Sequence, residues 1–325
     1  MQQGNCLPTK LLSRQVRTRS AAAAAMDLPA LVEPAWLRDR LDSSDMRVLD
    51  CTWYLPGTDK NPYEEFLASR IPGSRYFDLD KISMPDTGLP HMLPSPAAFG
   101  AAADALDISN SSAVVVYDRS GCFSAPRVWW TFRAFGHDRV AVLNGGLPAW
   151  LAEGLPLDEA PADEAALAAP VQAARSPPAN PCFRAHLQED LVRGLEEMRK
   201  LAAAAANGGG GEQVVDARPA ARFAGTAAEP RAGVRSGHIP GSRSVPASEV
   251  VEGGRLRPAN ELATIFKAAG VDPGRPAVCS CGSGVTAAIL ALALHQLSPG
   301  NQVAVYDGSW SEWGSLPDTP VDTAD

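Results

Sequence analysis

No apolar run approaches the ~18 residues that a membrane-crossing helix needs. The nearest, Val285–Leu294, is ten residues long. A membrane-spanning protein is excluded. Cysteine is scarce: Cys6, Cys51, Cys122, Cys182, Cys279 and Cys281 in 325 residues cannot form a disulfide scaffold. No CxxC pair or Cys/His cluster has zinc spacing. The 28 glycines and 28 prolines stay below the level of a low-complexity chain, which excludes wholesale disorder. Acid is missing from one place only. Residues 1–25 hold Lys10, Arg14, Arg17 and Arg19 and no Asp or Glu, leaving the rest with 25 basic and 37 acidic residues. An acidic body has no basic footprint, so general nucleic-acid binding is excluded too.

The front segment, basic, Ser/Ala-containing and ending in Ala21–Ala25, has the composition of a transit peptide. A mitochondrial address is preferred over a chloroplast one. A tail without an address is the plainer reading. A start at Met26 would give a cytoplasmic form.

At roughly 150 residues per domain the length suggests two domains, and the sequence repeats itself accordingly. Ile71-Pro-Gly-Ser-Arg75 recurs as Ile239-Pro-Gly-Ser-Arg243, and Val48-Leu-Asp50 as Val214-Val-Asp216. Val142-Leu-Asn-Gly145 with Trp150 recurs as Val305-Tyr-Asp-Gly308 with Trp313. Three matches in one order at a nearly constant offset mark a duplicated globular unit rather than a solenoid of short repeats. In the first copy, strands are predicted at 47–51, 113–117 and 140–143, with a helix over 127–135. In the second, strands are predicted at 213–216, 276–280 and 302–306, with a helix over 286–297. Alternating strands and helices predict an α/β fold with parallel sheets flanked by helices. The expected boundaries are a tail at 1–25, a first copy at 30–155, an Ala/Pro-rich linker at 156–182 and a second copy at 183–321.

The sharpest local signal is Cys281-Gly-Ser-Gly-Val-Thr286, between a buried strand and a helix start. Its glycines permit a tight turn that aims N–H groups inward. The following helix adds positive potential, so a thiol here is expected to ionise readily. Cys281 is therefore a candidate nucleophile; a small buried cysteine in a tight turn is the other reading. At the repeat offset Asp118 occupies the position of Cys281, which favours a single active site in the second copy.

These residues resemble a family. Cys281-Gly-Ser-Gly-Val-Thr-Ala287 is similar to the active loop of the tandem-domain 3-mercaptopyruvate sulfurtransferases of the rhodanese family, plant-type members above all. His91-Met-Leu-Pro94, Pro126-Arg-Val-Trp-Trp130, Asn144-Gly-Gly146, Gly237-His-Ile-Pro-Gly241 and Tyr306-Asp-Gly-Ser-Trp310 share the likeness, which runs from about residue 30 to 321. The resemblance implies two rhodanese-like domains, the first without a catalytic cysteine. It implies a Cys281 persulfide, formed from 3-mercaptopyruvate with release of pyruvate. The sulfur then passes to thioredoxin, to glutathione or another small thiol, or to cyanide. No metal or organic cofactor is implied. Arg222 and Arg231 match the family's substrate-binding arginines; without the family they read as surface charge. Gly282, Gly284, Val285 and Thr286 complete the substrate loop. An Asp80–His91–Ser283 proton relay is implied, with Asp78 the competing carboxylate; by itself His91 reads as a loop histidine. Thiosulfate-preferring relatives carry basic residues after the cysteine, where this chain has neutral Gly282 and Ser283. A thiosulfate:cyanide sulfurtransferase and a non-catalytic persulfide carrier are the rival readings.

Overall fold

The computed structural model describes residues 28–323 apart from 162 and 210, so the basic segment and Met26 lie outside the described residues. Twelve strands occur among them: β1 Leu31–Val32, β2 Met46–Asp50, β3 Arg75–Tyr76, β4 Ala113–Tyr117, β5 Val140–Leu143, β6 Val192–Arg193, β7 Gln213–Asp216, β8 Arg243–Ser244, β9 Val251–Glu252, β10 Arg255–Leu256, β11 Ala277–Ser280 and β12 Val303–Tyr306. They form two five-stranded parallel sheets, ordered β1-β5-β4-β2-β3 and β6-β12-β11-β7-β8, and one antiparallel hairpin, β9-β10. The two orders are the same once the duplication is applied. β4 (Ala-Val-Val-Val-Tyr) and β11 (Ala-Val-Cys-Ser) are buried along their whole length, as central parallel strands covered on both faces must be. The residue following each, Asp118 or Cys281, therefore emerges at the carboxyl edge of its sheet, where ligands of open α/β sheets bind.

The helices Ala125–Ala134 and Ala287–Leu297 pack against each other across the two copies. The latter reads Ala-Ala-Ile-Leu-Ala-Leu-Ala-Leu and is buried on every side, the expected fate of a helix with no polar face. One apolar cluster runs through this seam, joining Val116, Trp129 and Phe132 to Cys279, Leu290 and Val305. Segment 156–182, expected as a linker, contains a helix, Glu164–Arg175, packed on the helix Pro96–Ala105. Asp163 caps it by accepting the N–H groups of Ala165 and Ala166. Six alanines add little helical penalty, and packing on Pro96–Ala105 offsets the bond lost at the buried Pro170. Among the described residues no helix is long and apolar enough to cross a membrane.

Each copy lends a segment to cover the cysteine-position loop of the other. The N–H of Leu93 donates to Asp307 at 2.8 Å, and the N–H of Leu256 donates to Asn144 at 3.0 Å. Leu93 and Leu256, like Asn144 and Asp307, are repeat equivalents. At the same offset His91 corresponds to Gly254, and both backbones are left-handed, at φ 59° and 78°. Residues other than glycine adopt that conformation uncommonly, histidine among the more tolerant. The duplication thus kept the turn and placed an imidazole on one copy of it.

Candidate active site

Cys281 follows β11 and is 2% exposed. The N–H of Gly284 donates to its Sγ at 3.1 Å. The segment after β12 clamps the loop from behind. Trp310 N–H donates to the Cys281 carbonyl at 2.9 Å, while the N–H and hydroxyl of Ser311 donate to the Gly282 carbonyl at 2.9 and 2.6 Å. Ser309 Oγ accepts the Cys281 N–H at 3.2 Å. Gly284 is required twice over. Its φ is 80°, and a Cβ there would meet Arg127 Nη1 at 2.6 Å and the Asp307 carbonyl at 3.0 Å.

The first copy delivers the imidazole. His91 Nε2 lies 2.8 Å from Asp80 Oδ1, and His91 Nδ1 lies 3.2 Å from Ser283 Oγ. A carboxylate at Nε2 calls for a proton there, which leaves Nδ1 to accept from the serine hydroxyl. Trp53 donates from Nε1 to Asp80 Oδ2 at 3.1 Å and packs edge-on against His91 at 4.8 Å. Burial draws the Asp80 carboxyl upward, but its hydrogen bond and charge interaction with His91, aided by Trp53, outweigh this and hold it below its ordinary value. Asp78 is engaged elsewhere, with Lys81 at 2.9 Å.

A cavity of about 520 Å³ opens beside the sulfur. Cys281, Gly282, Ser283, Val285 and Thr286 line it together with Arg218, Arg222, Glu229 and Arg231 and with Trp53 and Phe123 of the first copy. Gly284 shapes the loop without lining the cavity. Arg222 is not wholly free. Its Nε and Nη2 donate to Glu229 at 3.1 and 2.5 Å, so one edge of the guanidinium is taken. Arg231 is exposed on the cavity.

Arg127 is the residue that sequence reasoning missed. It is buried and donates to the carbonyls of His91 and Gly284 at 2.5 and 3.3 Å and to Asp307 at 2.5 Å, joining both copies to the site. A charge inside an otherwise apolar helix, Ala-Pro-Arg-Val-Trp-Trp, was the available signal, because such a charge demands a buried partner. The other histidines take no part. His238 stacks on Phe223 at 3.8 Å and bonds its carbonyl, and burial lowers His295 to about 4. In the first copy, Asp118 occupies the loop that Cys281 occupies in the second. Its carboxylate accepts the N–H groups of Ser120, Phe123, Ser124 and Ala125 at 2.8–2.9 Å and fills that loop's anion pocket. Cys122, in the same loop, and Cys279 are buried, and burial pushes both thiols well up.

The rhodanese-like domain family matches the chain twice, over residues 33–153 and 199–316. Thiosulfate/3-mercaptopyruvate sulfurtransferase 1, mitochondrial, of Arabidopsis thaliana is 42% identical over 303 residues, covering 91% of this chain and 78% of that protein. The 3-mercaptopyruvate sulfurtransferase of Escherichia coli K12 is 40% identical, covering 88% and 95%. Among solved structures, SseA from Escherichia coli superposes with a TM-score of 0.72 at 35% identity, covering 86% of this chain and 98% of that one. Tum1 from Saccharomyces cerevisiae gives 0.76 at 31%, covering 91% and 98%. With both copies matched, and relatives similar over 78–98% of their own length, the chain belongs to the tandem rhodanese-domain sulfurtransferases, enzymes that transfer sulfur-containing groups.

Proposed function

We propose that this enzyme takes its sulfur from 3-mercaptopyruvate and passes it, through a Cys281 persulfide, to a thiol. The carrying observation is the meeting of Cys281 with the Asp80–His91–Ser283 chain at a cationic cavity whose loop residues, Gly282 and Ser283, are neutral. Arg231 and the free edge of Arg222 hold the donor carboxylate. The Cys281 thiolate attacks the donor sulfur. An S–S bond forms, the C–S bond breaks, and its electron pair leaves as pyruvate enolate. The proton carried by the transferred sulfur moves through Ser283 and His91 to the enolate carbon, giving pyruvate and a persulfide anion. Asp80 keeps the imidazole oriented and stabilises it when protonated. An acceptor thiolate, from thioredoxin, glutathione or a similar small thiol, then attacks the outer sulfur and releases Cys281. Cyanide can take the sulfur in the same way.

Thiosulfate is the second reading, favoured by the double donor name of the Arabidopsis relative. The neutral loop speaks for mercaptopyruvate. Incubation with 3-mercaptopyruvate is expected to add about 32 Da, one sulfur atom, to the Cys281 peptide. Cys281→Ser is expected to abolish both the adduct and turnover. Turnover by that variant, or a sulfur adduct on another cysteine alone, overturns the mechanism. We also propose mitochondrial targeting by residues 1–25, with a start at Met26 giving a cytoplasmic form. Fusion of residues 1–25 to a fluorescent protein tests it, and diffuse cytoplasmic signal refutes it.

A further inference from the structure

We propose that Glu229 sets the charge of the donor this site accepts, favouring a monoanion over a dianion. The proposal rests on the reading of the cavity as the donor site. Three guanidiniums line that cavity, those of Arg218, Arg222 and Arg231. Left unpaired, they would suit a dianion. Two carboxylates oppose them. Asp216 Oδ2 accepts from Nε and Nη2 of Arg218 at 3.0 and 2.7 Å. Glu229 bridges two of the three cations: its Oε1 accepts from Arg218 Nη1 at 2.9 Å and Arg222 Nε at 3.1 Å, and its Oε2 from Arg222 Nη2 at 2.5 Å. Its side chain is 4% exposed, so water screens it little.

Among the described residues Glu229 is the one acid lining the cavity, Asp216 lying behind Arg218; no lysine lines it, and Gly282 and Ser283 bring no charge. Three guanidiniums against two carboxylates leave one positive charge, which the reacting Cys281 thiolate balances. A donor with a single carboxylate then adds one negative charge. Thiosulfate adds two, in a recess where Coulomb energies exceed those in water. Glu229 also narrows what Arg222 can offer. The Nε–Nη2 edge is occupied, leaving the Nη1–Nη2 edge for one anionic head.

The test compares kcat/KM for thiosulfate and for 3-mercaptopyruvate in wild type, Glu229→Gln and Glu229→Asp. Glutamine keeps the shape and an acceptor oxygen but removes the charge. The thiosulfate-to-mercaptopyruvate ratio is expected to rise about tenfold in Glu229→Gln. In Glu229→Asp, which keeps the charge, the ratio is expected to stay near wild type even where both activities fall. An unchanged ratio in Glu229→Gln, or equal loss on both donors, overturns the proposal, because a residue that merely props Arg222 lowers both alike. Where Glu229→Gln does not fold, wild type is assayed with competing monoanionic pyruvate and dianionic oxalate. Tighter inhibition by pyruvate supports the proposal, and tighter inhibition by oxalate overturns it. A wild type that turns over neither donor fails the underlying site reading instead. Activity with mercaptopyruvate but no ratio shift removes only the role of Glu229.

Discussion

The pair Arg127–Asp307 decides whether the two copies act as one enzyme, and it can be broken from either side. Its side chains are 1% and 8% exposed, and N and O lie 2.5 Å apart. Removing one partner of such a pair strands a charge, at a cost of about 3–5 kcal/mol. Arg127→Met also frees the carbonyls of His91 and Gly284, one from each copy. Asp307→Asn weakens the hold on Leu93 N–H, two residues from His91. Each single variant is expected to lose about 3 kcal/mol in urea unfolding followed by tryptophan fluorescence, with Trp129 and Trp130 as reporters at the seam. The double variant is expected to lose clearly less than the sum, since neither charge is then stranded. Because the imidazole and the loop would no longer share an anchor, kcat is expected to fall about 10- to 100-fold in both singles, with KM changing less. Stability within about 1 kcal/mol of wild type, additive losses in the double variant, and kcat within about twofold would together refute the reasoning.

Three other predictions follow from the site and its surroundings. Arg231→Ala should raise KM for the donor with kcat retained, whereas Arg222→Ala should raise KM and also cost about 1–3 kcal/mol, since Glu229 loses one of its two cations; paired kinetics and unfolding check both. The folded Asp80 carboxyl titrates below its ordinary 3.8, so its contribution to stability is present above that pH and is lost only as pH falls through the lower folded value. The stability gap between wild type and Asp80→Asn should therefore persist down to mild acid, and a gap closing already near neutrality contradicts the pairing. Asp50, fully buried at the end of β2, is pushed up to about 6 by burial, against the opposing pull of Thr52 and Arg119. Its folded state holds the proton more tightly, so stability should fall as pH rises from about 4 to 6, by roughly 3 kcal/mol at most. Asp50→Asn should flatten that slope in urea titrations across the window.

The sequence by itself determined the parts that local pattern carries. Continuous apolar runs and a nearly constant offset revealed two α/β copies, and the strands 113–117, 140–143 and 213–216 fall where the pattern placed them. The Cys-Gly-Ser-Gly turn located the sulfur, because a strand, two glycines and a helix start lie consecutively in the chain. Composition marked 156–182 as the stretch between the copies but did not show the helix inside it, which an Asp cap and packing on Pro96–Ala105 hold in spite of a proline. What the tertiary structure alone decided are meetings between distant residues. His91 reaches Ser283 across 192 positions, and Arg127 reaches Asp307 across 180. The resemblance named the first pair, but only the fold made it a hydrogen bond, and nothing named the second. Glu229 lies seven residues from Arg222, on a loop whose spacing has no helical or strand period to show that the side chains face each other. Spacing encodes which face of an element a residue occupies. Which charge it meets depends on how loops fold back, as at Glu229, and on how the two copies share one seam, as at Arg127 and Asp307.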